Sequence, residues 1–321
     1  MTASNARCLV LGAGEMGRAH LKVLASLIPG RCAAYAPSAR NREAVLACGA
    51  QFFTGALADA VRAFAPTHGI VATPVDDLHA SAGLLLDAGL RTLLIEKPVA
   101  LDVTAAAGLL SRARATGTRA WAGYNRRQYA SVLKAREMIR ASGEKISSVV
   151  FEFTEWSHVV AALESQSAHA KARWLIANSL HVVDGALHLV GLPVAGRSLV
   201  VSRGSLPWHP SASAFAGAGV TSADVAFSYC ANWDAPGRWG FEWLTPSTRY
   251  IFRPIEKLHV MRRGSVAVEE VPVDDVFERE FKPGVYRQDI LFLEGDPGGE
   301  LATLEAAVAL IDLGQRMAGY T

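Results

Sequence analysis

Three groups of residues have the types and spacing to do chemistry: the loop Gly12-Ala13-Gly14-Glu15-Met16-Gly17, the run Glu96-Lys97-Pro98, and His181 three residues before Asp184. The loop directly follows the apolar Leu9-Val10-Leu11 and leads into Met16, His20, Val23 and Leu27 at helical spacing. That is the context in which G-x-G-x-x-G seats a dinucleotide pyrophosphate on a helix N-terminus. Gly12 then serves the tight turn, Gly14 lets backbone N–H groups approach phosphate, and Gly17 brings the helix against the sheet. Lys97 is expected at the carboxyl end of a parallel strand, the edge where open α/β sheets place ligands. Its ammonium can hydrogen-bond a substrate oxygen, stabilise alkoxide-like charge during hydride transfer, and help hold a nicotinamide. A lysine at a strand end is more commonly just solvated; the flanking Glu96 and Pro98 favour function, with Glu96 orienting Lys97 rather than moving protons itself. His181 and Asp184 lie in an apolar, helix-compatible run, 178–190, and share one face. Histidine suits the removal of a hydroxyl proton near neutral pH, so His181 is expected to be the general acid/base. Asp184 would bind a substrate hydroxyl or fix the imidazole, while His188, one turn on, reads as a packed or surface histidine.

The elements that must position these groups follow from the pattern of the chain. Strand-like segments at 32–35, 51–53, 69–72, 92–95 and 119–122 alternate with helix-like ones at 42–48, 57–64, 78–88 and 103–114, as a doubly wound parallel sheet requires. After Gly123 the grammar changes to strands in succession, at 149–155, 198–203, 223–231, 238–244, 248–252, 257–262 and 265–271. The fold class expected is therefore an α/β dinucleotide-binding domain, 1–122, plus an α+β domain, 123–321, with a large, mostly antiparallel, open-faced sheet. The stretch 206–219, rich in Pro, Ser, Ala and Gly, reads as a loop. A final amphipathic helix, 301–317, has the option of packing back on the first domain. Trp233, Trp239 and Trp243 are candidates for an exposed apolar sheet face, and hence for a homodimer or homotetramer, or for that sheet's covered face.

Composition excludes several classes of protein. The 321 residues are half apolar and 19% charged, a balance that suits packed domains and not a disordered chain. Net charge is +2 and dispersed, so nucleic acid is not an expected partner. No apolar run reaches the roughly 18 to 20 residues of a membrane helix, and the first strand begins too early for a signal peptide. Cys8, Cys32, Cys48 and Cys230 show no metal-ligand or CxxC spacing, so no metal is expected and the thiols read as reduced ones in a cytoplasm.

The order of motifs resembles the Gfo/Idh/MocA family, named for glucose-fructose oxidoreductase, inositol dehydrogenase and a rhizopine catabolism protein. The resemblance rests on GAGEMG, Thr73-Pro74 with His79, Glu96-Lys97-Pro98, Gly123-Tyr124-Asn125-Arg126-Arg127, His181 with Asp184, Arg287-Gln288 and Leu304-Glu305. It implies a nicotinamide-dependent dehydrogenase acting on a sugar, cyclitol or derivative, with the active site between the domains. The chain departs from the family's common pattern four residues before the histidine, where Ala177 replaces a frequent aspartate. Asn178 beside it is either a helix N-cap or an amide that recognises a hydroxyl.

Cofactor choice turns on the end of the second strand, where an NAD site usually offers Asp or Glu to the ribose. Ala36 stands there, followed by Ser38, Arg40 and Arg42. Loss of the carboxylate removes repulsion toward a 2′-phosphate, which Ser38 and an arginine can bind; NADP is the expectation, with NAD the alternative. Cofactor contacts are expected from Gly12, Gly14, Glu15, Met16, Gly17, Ser38, Arg40, Thr73, Pro74, His79, Glu96, Lys97 and Asn125. Substrate contacts are expected from Arg126, Lys171, Arg173, Trp174 and Asn178, the basic pair suiting an anionic group if it is not merely solvated. Two other functions remain open on this fold: a non-catalytic nicotinamide-binding regulator or scaffold, and an imine or tetrapyrrole-type reductase that need not use His181.

Overall fold

The computed structural model describes residues 5–320. The chain divides into two compact units, one made of the residues up to Asn125 with Val276–Ala309, the other of Arg126–Asp275 with the residues from Leu310 on.

In the first unit, strands and helices alternate: β1 (Cys8–Leu11), α1 (Glu15–Leu27), β2 (Cys32–Tyr35), α2 (Arg42–Ala47), β3 (Gln51–Phe53), α3 (Leu57–Phe64), β4 (His68–Val71), α4 (Leu78–Asp87), β5 (Thr92–Ile95), α5 (Val103–Ala115) and β6 (Arg119–Ala122). The six strands pair in parallel in the order β6-β5-β4-β1-β2-β3. All residues of β1, β4 and β5 are buried, which is why these strands read as short continuous apolar runs rather than as alternating ones. The order reverses between β1 and β4, the switch point where ligands bind in such sheets.

The second unit holds α6 (Ala130–Ser142), β7 (Ser148–Phe153), α7 (Ser157–Ala162), α8 (Ala168–Ala172), a π-helical turn (Leu175–Ser179), α9 (Leu180–Leu187), β8 (Pro193–Arg203), β9 (Ala214–Thr221), β10 (Ala226–Asn232), β11 (Trp239–Leu244), β12 (Thr248–Phe252), β13 (Leu258–Arg262) and β14 (Glu269–Val271). Eight strands form one sheet in the order β14-β13-β12-β11-β7-β10-β9-β8. Every neighbouring pair is antiparallel except β7 with β10.

The chain then returns to the first unit through α10 (Val276–Glu280), α11 (Val285–Glu294) and β15 (Ala302–Thr303), which adds an antiparallel edge strand beside β6. Val285 and Phe281 pack on Val23 of α1, and Phe292 meets the rings of His68 and Trp121 edge-on. Sequence reading gave this whole segment to the second domain, because no local pattern marks a contact formed across more than 150 residues. The last helix, α12 (Leu304–Ala318), is counted from Leu310 with the second unit. There Gly314 leaves room for Leu175, Ile176 and Leu180, any of which a Cβ would meet at 3.1–3.3 Å.

Two further expectations need correction, and one left open between two faces is decided. The loop expected over 206–219 ends in a strand, since β9 begins at Ala214 and pairs on both sides. Its alanines and glycines carry no strand propensity, and the pairing of both edges overrides that. Gly217 is needed because the Tyr229 ring lies across it, 2.4 Å from where a Cβ would stand. Strand 265–271 shrinks to Glu269–Val271. The large aromatic residues lie on the covered face: Phe151, Phe153, Phe241, Trp243, Tyr250 and Phe252 are buried, and Trp243 donates its indole N–H to the Ala186 carbonyl of α9 at 2.8 Å. Trp233 is also buried, and Trp239 half-buried. The opposite face carries one continuous row, Leu199, Ala218, Ser228, Val150, Glu242, Ile251, His259 and Glu270, and is mostly small or polar.

Candidate functional site

In the first unit the glycine loop has the geometry its spacing implies. Gly12 has φ +107°, and a Cβ there would lie 2.2 Å from the Ala72 carbonyl oxygen after β4. A Cβ on Gly17 would lie 2.0 Å from the Gly12 carbonyl oxygen, so α1 and the loop are in direct backbone contact. At Gly14 a Cβ would meet nothing within 4 Å. Gly14 is also the N-cap of α1 and no side chain caps the helix there, which leaves first-turn N–H groups free of side-chain partners beside open space, as a pyrophosphate needs. The residues therefore fit a dinucleotide on an observation of the structure itself. Replacing Gly17 with alanine is expected to destabilise the protein by about 1–3 kcal/mol through overpacking. Gly14→Ala should leave the melting temperature in place and weaken nicotinamide dinucleotide binding about tenfold, or ~1.4 kcal/mol. Thermal melts and cofactor titration of the two variants separate these effects, and equal losses of stability would contradict the assignment.

Other residues gather at the same carboxyl edge of the parallel sheet. Ala36 follows β2 directly and is buried, while Ser38, Arg40 and Arg42 beyond it are exposed. Thr73, after β4, has a buried hydroxyl with no hydrogen-bond partner, an orphan suited to a ligand atom; Pro74 beside it is exposed, and His79 lies half-buried on the first turn of α4. Met16 packs its side chain on the core, and Glu15 is engaged by Lys282 at 2.8 Å, a contact that lowers its carboxyl below the usual range. Asn125 is buried and commits its amide N–H to the Pro283 carbonyl at 2.8 Å. Glu96 and Lys97 follow β5, with Glu96 buried and Lys97 half-buried. The turn closes at Val99, a buried β-branched residue held at φ +82°, a strained conformation of the kind found where structure positions a functional group.

The second unit brings a separate set of groups together. His181 is buried and its ring lies 6.3 Å from that of Trp239. The Arg126 guanidinium stands over the same Trp239 ring at 4.7 Å, and its Nε is buried without a hydrogen-bond partner. Asp184 does not stand open for a ligand, because Arg127 forks onto both its oxygens at 2.8 and 2.5 Å. Sequence reading took Arg127 only as part of the motif 123–127 and gave it no role, since its partner lies 57 residues on. His188 is a packed histidine, donating to backbone carbonyls of its own helix and lying 5.6 Å from Trp243. Burial first, then the Arg127 charge, lowers it to about 4, so it is neutral at physiological pH.

The helix expected over 178–190 is preceded by the π-helical turn, so Asn178 is inside helical structure and is not an N-cap. Its amide donates to Glu155 at 3.2 and 3.3 Å, and Ser179 donates to the same carboxylate at 2.6 Å. Glu155 went unnoticed in the sequence, where a lone glutamate after a strand carries no signal. It lines a cavity of about 840 Å³ together with Trp156, Trp208, Trp233 and Asp234. The basic residues expected as an anion clamp have other engagements: Lys171 donates to the Ala161 carbonyl at 2.9 Å, and Arg173 lies over the Tyr320 ring at 4.8 Å. Trp174 is buried edge-on to Trp208.

A doubly wound parallel sheet with a phosphate-type glycine loop, joined to an eight-stranded open-faced sheet, defines the class as a two-unit nicotinamide-binding oxidoreductase fold. Residues 6–124 match the model of the oxidoreductase family with an NAD-binding Rossmann fold, GFO_IDH_MocA. Among solved structures it is similar to UDP-N-acetylglucosamine 3-dehydrogenase GnnA from Acidithiobacillus ferrooxidans, at 18% identity and TM-score 0.71 over 96% of this chain and 95% of that one. It is also similar to an NAD binding oxidoreductase from Klebsiella pneumoniae, at 16% identity and TM-score 0.76 over 98% and 96%. A levoglucosan dehydrogenase complexed with NADH and L-sorbose aligns at 16% and 0.75 over 98% and 96%. A search of curated proteins finds no significant match. No helix among the described residues is long and apolar enough to cross a membrane.

Proposed function

We propose that the protein moves a hydride between a nicotinamide cofactor and a secondary alcohol or ketone carbon of a sugar, cyclitol or sugar derivative. The observation that carries this reading is Lys97 at the carboxyl end of β5, in the same sheet and at the same edge as the glycine loop after β1. When bound, the nicotinamide supplies the hydride acceptor or donor at its C4. In oxidation, the C–H bond of the carbinol carbon breaks as the C=O bond forms. His181 takes the hydroxyl proton, and the Lys97 ammonium stabilises the negative charge on oxygen. Arg126 binds a substrate hydroxyl, while Asp184 acts through the Arg127 pair to fix the helix that carries His181. Two similar structures are those of a UDP-N-acetylglucosamine and a levoglucosan dehydrogenase. The cavity of tryptophans and carboxylates also suits a polyhydroxylated ring, with aromatic faces for its C–H faces and acceptors for its hydroxyls.

NADP is the proposed cofactor, because Ala36 offers no carboxylate and exposed Ser38 and Arg40 follow it. Ala36→Asp is expected to reverse the preference toward NAD by repelling a 2′-phosphate, and an unchanged ratio of NADP to NAD affinities would show that Ala36 does not face the ribose. The free thiols of Cys8, Cys32, Cys48 and Cys230 suit a cytoplasmic protein. Exposed Leu199 (67%) and Val201 (43%) at the edge of the open sheet face support a homo-oligomer formed there. The test is a thermal-shift titration with NAD, NADH, NADP and NADPH, then a panel of sugars and nucleotide sugars followed by nicotinamide absorbance. Saturation at one hundred times the dissociation constant should stabilise by roughly 2.7 kcal/mol. A cofactor-free protein that none of the four stabilises would overturn the reading in favour of a scaffold.

A further inference from the structure

The tryptophan-lined cavity of the second unit has more room than one sugar ring needs. At about 840 Å³ it falls near the upper end of the roughly 300–1,000 Å³ of sites for drug-sized ligands. Trp156 stands between β7 and α7, Trp208 between β8 and β9, and Trp233 directly after β10; all three line the cavity. Each spends its one polar atom on the protein. The Trp156 indole N–H donates to the Gly237 carbonyl at 3.0 Å, that of Trp208 to the Ser157 hydroxyl at 3.1 Å, and that of Trp233 to the Phe153 carbonyl at 3.0 Å. An indole has no other donor and no acceptor, so what these side chains offer a ligand is carbon surface.

The surface falls into two platforms. In the inner one, Trp208 stacks on buried Trp233, with ring centres 5.6 Å apart and planes within 11°. The ring of His209, itself 0% exposed, stands edge-on to Trp233 at 4.7 Å. His209 is locked in turn. Its Nδ1 lies 2.5 Å from the Ala212 carbonyl and must carry the proton, which leaves Nε2 to accept from the Tyr320 hydroxyl at 2.6 Å. That hydroxyl accepts the Leu175 N–H at 3.2 Å. Burial lowers the His209 pKa, in keeping with a neutral ring, and the inner platform is rigid before a ligand arrives. The outer platform is Trp156, 61% exposed, with the His158 imidazole parallel to it at 6.5 Å.

Charge narrows the occupant further. Among the described residues no lysine or arginine lines the cavity, whereas Glu155 and Asp234 do. Glu155 is buried and held by Asn178 and Ser179, the latter two residues before His181; Asp234 is exposed. A phosphate bound there would meet carboxylates and find no cation to pair with. We propose that the substrate is an uncharged glycoside of at least two rings: the sugar to be oxidised lies on Trp208, and the ring joined to it through the glycosidic oxygen lies on Trp156. This deepens the dehydrogenase reading and rests on it for the fate of the first ring, but not for the binding.

Binding is therefore measured without turnover, by saturation-transfer NMR titrations of the full chain. Glucose, galactose, mannose and N-acetylglucosamine are each offered as the free sugar, as both phenyl glycosides, and as the 1-phosphate, which puts charge where the second ring would lie. At least one phenyl glycoside should bind about tenfold more tightly than its free sugar, the scale of one tryptophan contact, and its 1-phosphate should bind most weakly. Trp156→Ala should reduce that glycoside to the affinity of the free sugar and leave the free sugar's unchanged. Asp234→Lys, a change at an exposed position, should raise the affinity of the 1-phosphate about tenfold. A 1-phosphate that binds the unaltered protein as tightly as the glycoside, no glycoside that exceeds its free sugar, or a preference that survives Trp156→Ala overturns the proposal. Should Trp156→Ala fail to fold, Asp234→Lys decides: a gain for the 1-phosphate supports the site, and no gain overturns it. Failure of the dehydrogenase reading looks different, since the glycoside would bind in this order and reduce no nicotinamide.

Discussion

Lys97→Ala is expected to lower turnover by about two to three powers of ten on any sugar that the unaltered protein oxidises, the scale of losing one preorganised electrostatic group. The side chain is half-buried at a strand end and is not a member of the buried core, so the melting temperature should move by no more than about 1 kcal/mol allows. If the ammonium acts on charge that develops in the transition state, kcat and kcat/KM fall together; if it only binds substrate, KM rises and kcat stays. Lys97→Arg should not rescue the rate, since a planar fork places its charge differently from a compact ammonium. Full turnover in Lys97→Ala would remove the lysine from the chemistry and with it the main support for the dehydrogenase reading.

The first unit was largely legible because its signals are local. Each parallel strand is a short apolar run bounded by a turn, and expected and observed elements from β1 to β6 agree to within one or two residues. The glycines of the loop could be assigned separate roles from spacing alone; in the structure Gly12 and Gly17 lie against backbone and Gly14 borders open space. Illegible features share a physical cause, which is that their partners are far away in the chain. Asp289 meets His20 across 269 residues, so a histidine on an apparently apolar helix face gave no hint of a charged partner. The return of 276–309 to the first unit is of the same kind. Strand β9 was hidden differently: its alternate positions are alanine and glycine, which look like loop composition until the neighbouring Tyr229 ring explains why they must be small. At His181 and Asp184 the shared helix face was readable, but the identity of the aspartate's partner was not, and that partner changes what the aspartate does.

That change gives the largest expected effect on stability. Arg127→Met should destabilise the second unit by about 3–5 kcal/mol, because it strands a carboxylate that is 3% exposed. At roughly 2–4 °C per kcal/mol for a unit of this size, the melting temperature should fall by about 6–20 °C. The sign with pH is specific. An unpaired buried carboxylate has its pKa raised, so the folded variant binds a proton more readily than the unfolded chain, and its deficit should shrink as pH falls below neutral. A second variant separates charge from packing. Arg127→Met with Asp184→Leu removes both charges, and buried pairs replaced by apolar residues are often neutral in stability, so much of the loss should be recovered. A single variant that melts within about 1 kcal/mol of the unaltered protein would place the pair among the weak surface bridges. Asp184 would then be free to serve a ligand, the role that its spacing from His181 first suggested.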